Sequence, residues 1–164
     1  MVSKKVFSLI MVRKEAEILL GFKLRGFGAG KWNGFGGKLE PKENIYECAL
    51  RELKEECGLS AKNLRQIGIL DFEFEGNPIL LEVNVFETFS FEGETVETDE
   101  MRPKWFKLSD VPFNQMWPDD TIWFPYMLKG IPFRGYFLYR GEETILSHKI
   151  NESMEFSNVS VQNS

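Results

Sequence analysis

A group of carboxylates, glycines and one arginine at fixed spacing lies between residues 37 and 59. Its fixed residues are Gly37, Glu43, Arg51, Glu52, Glu55, Glu56 and Gly58, with leucine at positions 53 and 59. Glu52, Glu55 and Glu56 are three and four residues apart, so on a helix their carboxylates share one face. Mg²⁺ binds to such hard oxygen ligands and also takes the phosphate oxygens of a substrate. The spacing therefore predicts metal-assisted chemistry on a phosphate.

An acidic helix face can instead be a solvated surface that pairs with Arg51 or Lys54, because runs of charge usually face water. A pair of glutamates alone would favour that interpretation. The complete spacing, together with the preceding glycine turn, favours the metal site.

A helix must position these carboxylates. No proline or glycine occurs between Asn44 and Gly58, and Gly58 is well placed to end the helix. Four residues fall on one stripe at the helical period and are predicted to pack on a core: Tyr46, Leu50, Leu53 and Cys57.

A glycine-rich loop leads into the predicted helix. Its glycines are Gly26, Gly28, Gly30, Gly34, Gly36 and Gly37, interleaved with aromatic residues. Glycine allows the backbone to approach a ligand closely, so the loop can offer amides or carbonyls to phosphate and metal. Lys23, Lys31 and Lys38 can supply positive charge toward a triphosphate. Most glycine-rich loops are simply turns, but this one runs directly into the carboxylate helix, which favours a functional role.

The composition predicts one packed domain of 164 residues, with 43% hydrophobic residues and 15 phenylalanines. The net charge of −5 argues against a general nucleic-acid surface, which requires clustered Lys and Arg. The single histidine, His148, excludes a histidine-based zinc site and a Ser-His triad.

The two cysteines, Cys48 and Cys57, lie on the same predicted helix, about 13 Å apart along its axis, which is too far for a disulfide. We expect two free thiols in a reducing compartment. The sequence contains no secretory signal and no apolar run long enough to span a bilayer, so we expect no membrane partner.

The rest of the chain predicts strands and one more helix. Strands are expected at about 5–12, 17–22, 64–75, 79–91, 104–108, 133–139 and 144–148. A second helix is expected from Asp119 to Lys129, with Pro125 able to kink or shorten it. This order predicts a single α+β domain, an α/β/α sandwich, over residues 1–150, followed by a polar, disordered tail at 151–164.

The segment from Gly37 to Leu59 resembles the signature of the Nudix hydrolase family, whose members cut nucleoside diphosphates linked to another group. Three further stretches resemble the animal members that act on oxidized purine nucleoside triphosphates: 21–37, 99–103 and 116–125. The resemblance implies a mixed β-sheet flanked by helices and Mg²⁺ as cofactor, for which Mn²⁺ can substitute. It also implies hydrolysis of 8-oxo-dGTP and 2-oxo-dATP to the monophosphate and pyrophosphate. It further implies a monomer in the cytoplasm, and in the nucleus and mitochondria as well.

Site residues follow from the resemblance, position by position. It implies metal ligation by Gly36, Glu52, Glu55, Glu56 and Glu100. From the chemistry of the carboxylates we expect Glu56 to act as the base, with Glu52 as the alternative, and we expect Arg51 to hold the helix and loop together by ion pairing. The resemblance implies substrate binding by Ser8, Lys23, Phe27, Asn33, Phe35, Gly36, Gly37, Lys38, Phe72, Leu81, Met101, Trp117, Pro118, Asp119 and Asp120. Ser8 and Leu81 depart from the residues usual in the family, which affects the ranking of substrates.

Asn33 can donate to and accept from a purine edge through its amide. Two adjacent carboxylates in a semi-apolar pocket do not readily both ionise, so Asp119 or Asp120 can keep a proton and donate it. The alternative role for this pair is capping of the second helix.

Two other functions stay open at this point. One is a family member acting on methylated purine triphosphates or ADP-ribose-type diphosphates, which a substrate panel distinguishes. The other is a non-catalytic nucleotide-binding or RNA-end-binding module, which would be expected to have lost metal carboxylates.

Overall fold

A computed structural model describes residues 3–156 and 158–160. Its strands are β1 (Ser3–Arg13), β2 (Glu17–Lys23), β3 (Trp32–Asn33), β4 (Phe35–Lys38), β5 (Ser60–Ala61), β6 (Asn63–Phe74), β7 (Ile79–Thr88), β8 (Phe91–Glu92), β9 (Met101–Lys107), β10 (Phe133–Arg140), β11 (Thr144–Glu152) and β12 (Asn158–Ser160). Its α-helices are α1 (Ile45–Cys57) and α2 (Asp120–Lys129). Short 3-10 turns occupy Leu108–Asp110 and Phe113–Gln115.

The described strands form one mixed sheet and a small β5–β8 pair. The main path runs β11-β10-β6-β7-β1-β2-β3, while β12 pairs with β6, β4 with β1 and β9 with β2. The β1–β7 and β6–β10 pairs are parallel, and the other pairs are antiparallel. Parallel neighbours require crossover connections, so residues distant in sequence meet on this sheet.

Two apolar clusters lie on the two faces of the sheet. Leu53 and Cys57 of α1 are buried in one cluster with Ile10. Trp123 and Phe124 of α2 are buried in the other, against strands β6 and β10. The sheet therefore lies between the two helices, and the predicted α/β/α arrangement in an α+β domain is confirmed.

Helix α1 has the predicted bounds. Asn44 caps its first turn by accepting a hydrogen bond from the Glu47 N–H at 2.8 Å, and the Glu47 side chain returns a bond to the Asn44 N–H. Gly58 ends the helix in the left-handed conformation, at φ 85°. Cys48 and Cys57 are both free and buried, as predicted.

Three element predictions need correction. The strand expected at 79–91 ends at Thr88, where the Thr88 hydroxyl bonds locally to Ser90 and turns the chain. Part of the glycine loop is strand, because β4 pairs with β1. Pro125 lies inside α2 without shortening it, since the helix continues to Lys129.

The domain boundary at residue 150 and the disordered tail stay predictions, and residues 157 and 161–164 lie outside the described part. Strand β11 continues to Glu152, and β12 pairs with β6. Within the described residues, neither helix has the length and apolar character needed to cross a bilayer.

Candidate active site

The close packing of β4 on β1 places the glycine segment against the carboxylate helix. Gly36 lies opposite Leu9 in the β1–β4 pair, and a Cβ on Gly36 would be 1.8 Å from the Ser8 carbonyl oxygen. A Cβ on Gly37 would be 2.4 Å from Glu52 Oε1. These two glycines are therefore needed for close approach and not for a left-handed backbone, which occurs instead at Gly26, Gly28 and Gly30.

Glu56 is the most buried of the helix carboxylates, with 3% of its surface exposed. Its Oε1 accepts a hydrogen bond of 2.7 Å from the Gly36 N–H. Burial raises the pKa of Glu56 to about 8, and the negative charges of Glu52 and Glu100 add to that rise. Burial also raises the pKa of Glu52. The carboxylates are thus gathered closely enough for their charges to oppose one another.

Arg51 binds the helix to the segment before it. Its guanidinium donates to both oxygens of Glu43 at 3.0 and 2.7 Å, and to Glu52 at 2.8 Å. It also reaches Glu55 at 3.3 Å and the Lys38 carbonyl at 3.2 Å. The Arg51 hydrogen bond holds the pKa of Glu43 down at about 2. These contacts join α1 to the segment before it, and the role of Arg51 in activity stays a prediction.

The predicted metal ligands are all oxygen donors, the set that a hard divalent cation prefers. In the described part of the chain, however, no group of three or more His, Cys, Asp and Glu side chains is arranged to hold a metal ion. Arg51 binds Glu52 and Glu55, and Arg25 binds Glu100 at 3.4 Å. The donors suit Mg²⁺ because they are oxygens and because a cation would relieve the repulsion between the carboxylates of Glu52, Glu56 and Glu100. In this structure the carboxylates instead bond to protein groups. The ligand set stays a prediction.

A cavity of about 240 Å³ opens beside Glu56. Predicted substrate residues that line it are Ser8, Lys23, Phe27, Asn33, Gly36, Gly37, Phe72, Leu81, Met101, Trp117, Asp119 and Asp120. The sequence reasoning missed Phe7, Leu9, Gly28, Gly34, Leu70, Phe74 and Val83, which also line it. Phe74 could have been found, because Leu70, Phe72 and Phe74 alternate along β6 and so share a face.

Three predicted substrate residues do not line this cavity. Phe35 is fully buried in the cluster under α1, because the alternation of β4 turns its side chain toward the helix. Lys38 is exposed at the end of β4, and Pro118 lies between two lining residues without lining the cavity itself. Lys31, expected to supply charge to a triphosphate, is buried and forms an ion pair with Glu143.

Asp119 and Asp120 both line the cavity and are each 3% exposed, but their surroundings differ. Asp119 Oδ2 accepts a hydrogen bond of 2.9 Å from the Trp123 indole, and its Oδ1 accepts one from the Tyr139 hydroxyl. Asp120 Oδ2 is buried and has no hydrogen-bond partner in the described residues. An orphaned oxygen at a cavity wall is a group that a ligand can satisfy.

Burial raises the pKa of both aspartates. The bonds from Tyr139 and Trp123 oppose the rise for Asp119, whereas the charge of Asp119 raises the pKa of Asp120 further. Asp119 therefore ionises first and Asp120 keeps its proton. The alternative role, capping of α2 by an aspartate side chain, is wrong. Asp119 occupies the capping position of α2, but its side chain makes no capping hydrogen bond.

Aromatic rings wall the cavity. Trp117 lies 5.2 Å from Phe27 and 6.1 Å from Phe74 between ring centroids. Asn33 Oδ1 accepts from the Gly34 N–H at 2.8 Å, which leaves its amide nitrogen as a donor toward a ligand. The cavity is thus lined by aromatic rings and by polar side chains, and Glu56 of the carboxylate helix is part of the same lining.

Comparison with known proteins identifies the family. The NUDIX domain model matches residues 3–127. This chain belongs to the Nudix family. The oxidized purine nucleoside triphosphate hydrolase of Danio rerio is 49% identical over 152 residues, which are 93% of this chain and 97% of the relative. The protein of that name from Mus musculus is 44% identical over 156 residues, or 95% and 100% of the two chains.

Solved structures agree with the Nudix fold. A MutT protein from Bacillus halodurans superposes with a TM-score of 0.79 at 27% identity, covering 90% of this chain and 97% of that one. Nudix hydrolases generally use divalent metal ions, which agrees with the oxygen donors gathered on α1. The predictions of family and fold are therefore confirmed.

Proposed function

We propose that this chain hydrolyses oxidized purine nucleoside triphosphates, 8-oxo-dGTP and 2-oxo-dATP, to the monophosphate and pyrophosphate with Mg²⁺. The reaction would remove mutagenic precursors from the nucleotide pool. The names of the two vertebrate relatives support this substrate class. The observation that carries the proposal is the buried Asp120 oxygen without a hydrogen-bond partner, since Asp120 lines an aromatic cavity that Glu56 lines as well.

The purine would stack between the aromatic walls and present its Watson–Crick edge to Asn33 and the aspartates. A guanine edge carries an acceptor at O6 and donors at N1 and N2, so it needs a donor beside acceptors. Asn33 would donate, the ionised Asp119 would accept, and Asp120 would accept or donate according to its proton. A change in that proton would suit the different edge of 2-oxo-adenine. We propose that this pair gives tolerance for both bases.

The triphosphate would extend toward Lys23, Gly36 and Gly37, which line the same cavity as the base site. Gly36, Glu52, Glu55, Glu56 and Glu100 would hold the metal ion. Bound Mg²⁺ would neutralise phosphate charge and lower the pKa of a water molecule. Glu56 would accept the proton of that water, because its buried carboxyl has a raised pKa suited to a base near neutral pH. Arg51 already holds Glu52, which makes Glu52 the second choice as base.

The test is chromatography of the products from 8-oxo-dGTP, 2-oxo-dATP, an O6-methylated dGTP and unmodified dGTP, each with and without Mg²⁺. The proposal expects monophosphate and pyrophosphate from the two oxidized substrates, only with metal, and slower cleavage of dGTP. Equal kcat/KM for dGTP and 8-oxo-dGTP would refute the substrate class, and faster cleavage of the methylated substrate would favour the methylated-purine alternative. Tight binding without cleavage of any nucleotide would indicate the non-catalytic module.

Asp119→Asn and Asp120→Asn test the base-recognition step. The two variants should change turnover of 8-oxo-dGTP and 2-oxo-dATP unequally, because each substrate needs a different pattern of donors and acceptors. Equal small losses for both substrates would sink the recognition hypothesis. We also propose a monomer, since the cavity and the carboxylate helix lie on one chain, and light scattering would test it.

A further inference from the structure

Lys31 is a buried lysine outside the cavity. Only 8% of its surface is exposed. Its Nζ forms an ion pair with Glu143 and lies over the indole of Trp117, 5.3 Å from the ring centroid. A lysine this buried is uncommon and needs a charged partner. Glu143 meets that need although its own side chain is 75% exposed.

The ion pair joins the loop after β2, which contributes Phe27 and Gly28 to the cavity lining, to the turn between β10 and β11. Lys31 follows the glycine turn after β2, where its N–H bonds to the Gly28 carbonyl at 3.2 Å. Glu143 lies in the turn between β10 and β11. Lys31 is thus fixed at both its backbone and its side chain, so its cation has a defined place on the indole.

Trp117 is enclosed by groups from several elements. Phe27 lies 5.2 Å away and Tyr139 5.6 Å away between ring centroids. A Cβ on Gly28 would be 3.2 Å from the indole nitrogen. Lys31 adds a charged contact to this apolar enclosure, and a cation over a tryptophan ring is the strongest of such contacts.

We infer that the Lys31–Glu143 ion pair is a positioning element of the base cavity, which fixes the Trp117 wall and sets the local charge at its polar end. The inference rests on the proposed function, since it assigns the wall to a purine ring. Lys31 does not line the cavity, so it acts through Trp117 and through its charge.

The charge reaches Asp120. The groups around this carboxyl are Asp119, Trp123 and Lys31, with Tyr139 bonded to Asp119. The positive charge of Lys31 lowers the pKa of Asp120, against the larger effects of burial and of Asp119. Loss of Lys31 should therefore raise that pKa. Loss of Glu143 leaves the lysine charge uncompensated and should lower it.

The test is specific because loss of Lys31 and loss of Glu143 should change the pKa of Asp120 in opposite directions. The variants are Lys31→Gln, Glu143→Gln and Lys31→Arg, with Lys62→Gln and Glu92→Gln as the matched control pair. Lys62 and Glu92 form an exposed ion pair with a 2.6 Å contact, between a residue next to β5 and a residue of β8, away from the cavity lining. Two readouts are taken: kcat and KM for 8-oxo-dGTP, and the pH titration of the Asp120 carboxyl ¹³C signal in nucleotide-free protein, assigned with Asp120→Asn.

Lys31→Gln is expected to raise KM about threefold to tenfold with a smaller change in kcat, because loss of the cation–π contact leaves Trp117 in its binding position for a smaller fraction of the time. Glu143→Gln is expected to raise KM about twofold to threefold, because the mostly exposed Glu143 contributes only modestly to holding Lys31 in place. The Asp120 titration moves to higher pH in Lys31→Gln and to lower pH in Glu143→Gln. Lys31→Arg keeps the positive charge, so its KM and its Asp120 titration should be close to those of wild type. The two control variants should change neither readout.

Shifts of the Asp120 titration in the same direction for both variants, or no shift in either, would overturn the inference. A merely structural loosening of the site would not change the Asp120 pKa in opposite directions in the two variants. Glu143→Gln changes a mostly exposed side chain, so it keeps the test usable where the buried Lys31 site does not tolerate glutamine. If wild-type protein does not hydrolyse 8-oxo-dGTP, the proposed function fails, while the nucleotide-free titration still decides the role of the ion pair.

Discussion

The hydroxyl of Tyr139 offers the sharpest test of how the aspartate pair is organised. It donates to Asp119 Oδ1 and accepts from the Asp119 backbone N–H at 3.0 Å. Tyr139 is fully buried and Asp119 is 3% exposed, so water cannot replace either bond. Tyr139→Phe removes both bonds while keeping the ring that packs against Phe74 and Trp117.

The expected cost follows from these two bonds. A hydrogen bond to a charged group contributes about 1.5–3 kcal/mol, and a buried N–H left unpaired costs about 1–3 kcal/mol. The sum is about 2.5–6 kcal/mol of unfolding free energy. For a chain of this length, each kcal/mol lowers Tm by about 2–4 °C, so we expect a loss of about 5–24 °C.

The loss should also depend on pH. The Tyr139 bond opposes the rise in the pKa of Asp119, so its removal raises that pKa further. A carboxyl with a raised folded pKa gives stability at low pH that is lost as pH rises toward the folded pKa. The deficit of Tyr139→Phe should therefore be larger at pH 8 than at pH 5.

Thermal unfolding of wild type and variant from pH 5 to pH 8 measures both effects. Tyr126→Phe is the control, because the Tyr126 hydroxyl makes no hydrogen bond with the described residues although its ring packs on Phe133. A deficit below about 1 kcal/mol, or one that stays constant across this pH range, would refute the assignment of Asp119 as the ionised member of the pair.

Three further outcomes are expected. Glu56→Gln should lower kcat with Mg²⁺ at least about a hundredfold and keep its Tm; full metal-dependent activity would exclude Glu56 as the base. Asp120→Asn should gain Tm relative to wild type as pH rises from 5 to 8, because the raised pKa of Asp120 makes wild type less stable with rising pH; a pH-independent difference would contradict this. Gly36→Ala should lower both Tm and activity, since its Cβ would be 1.8 Å from the Ser8 carbonyl oxygen and β4 must move from β1; wild-type Tm and kcat/KM would show that the strands tolerate it.

Local patterns in the sequence predicted much of the fold. Helix α1 begins and ends where its capping residues, Asn44 and Gly58, place it. The long strands were predicted within a few residues, because alternation and turn residues act over short distances. The break at Thr88 was not predicted, because the apolar run continues to Phe91 and the turn depends on one hydroxyl bonding to Ser90.

Most residues of the site were predicted, but the contacts among their side chains were not. The resemblance named twelve of the cavity-lining substrate residues by position. It did not show that Asp119 is held by Tyr139 and Trp123 while Asp120 is left with a free oxygen, since that difference arises from side chains of β10 and α2. It also did not show that Lys31 is absent from the cavity lining and pairs with Glu143.

The sequence by itself determined the carboxylate helix, its caps and the glycine segment beside it, because these depend on spacing within a few turns of chain. Only the tertiary structure showed how the surroundings of the two adjacent aspartates differ and which groups surround Trp117. Both depend on side chains from separate elements, with Tyr139 and Trp123 bonded to Asp119, and Lys31 over the Trp117 indole and paired with Glu143. Burial and charge act through space, and their effect on a pKa cannot be read from neighbours in the chain.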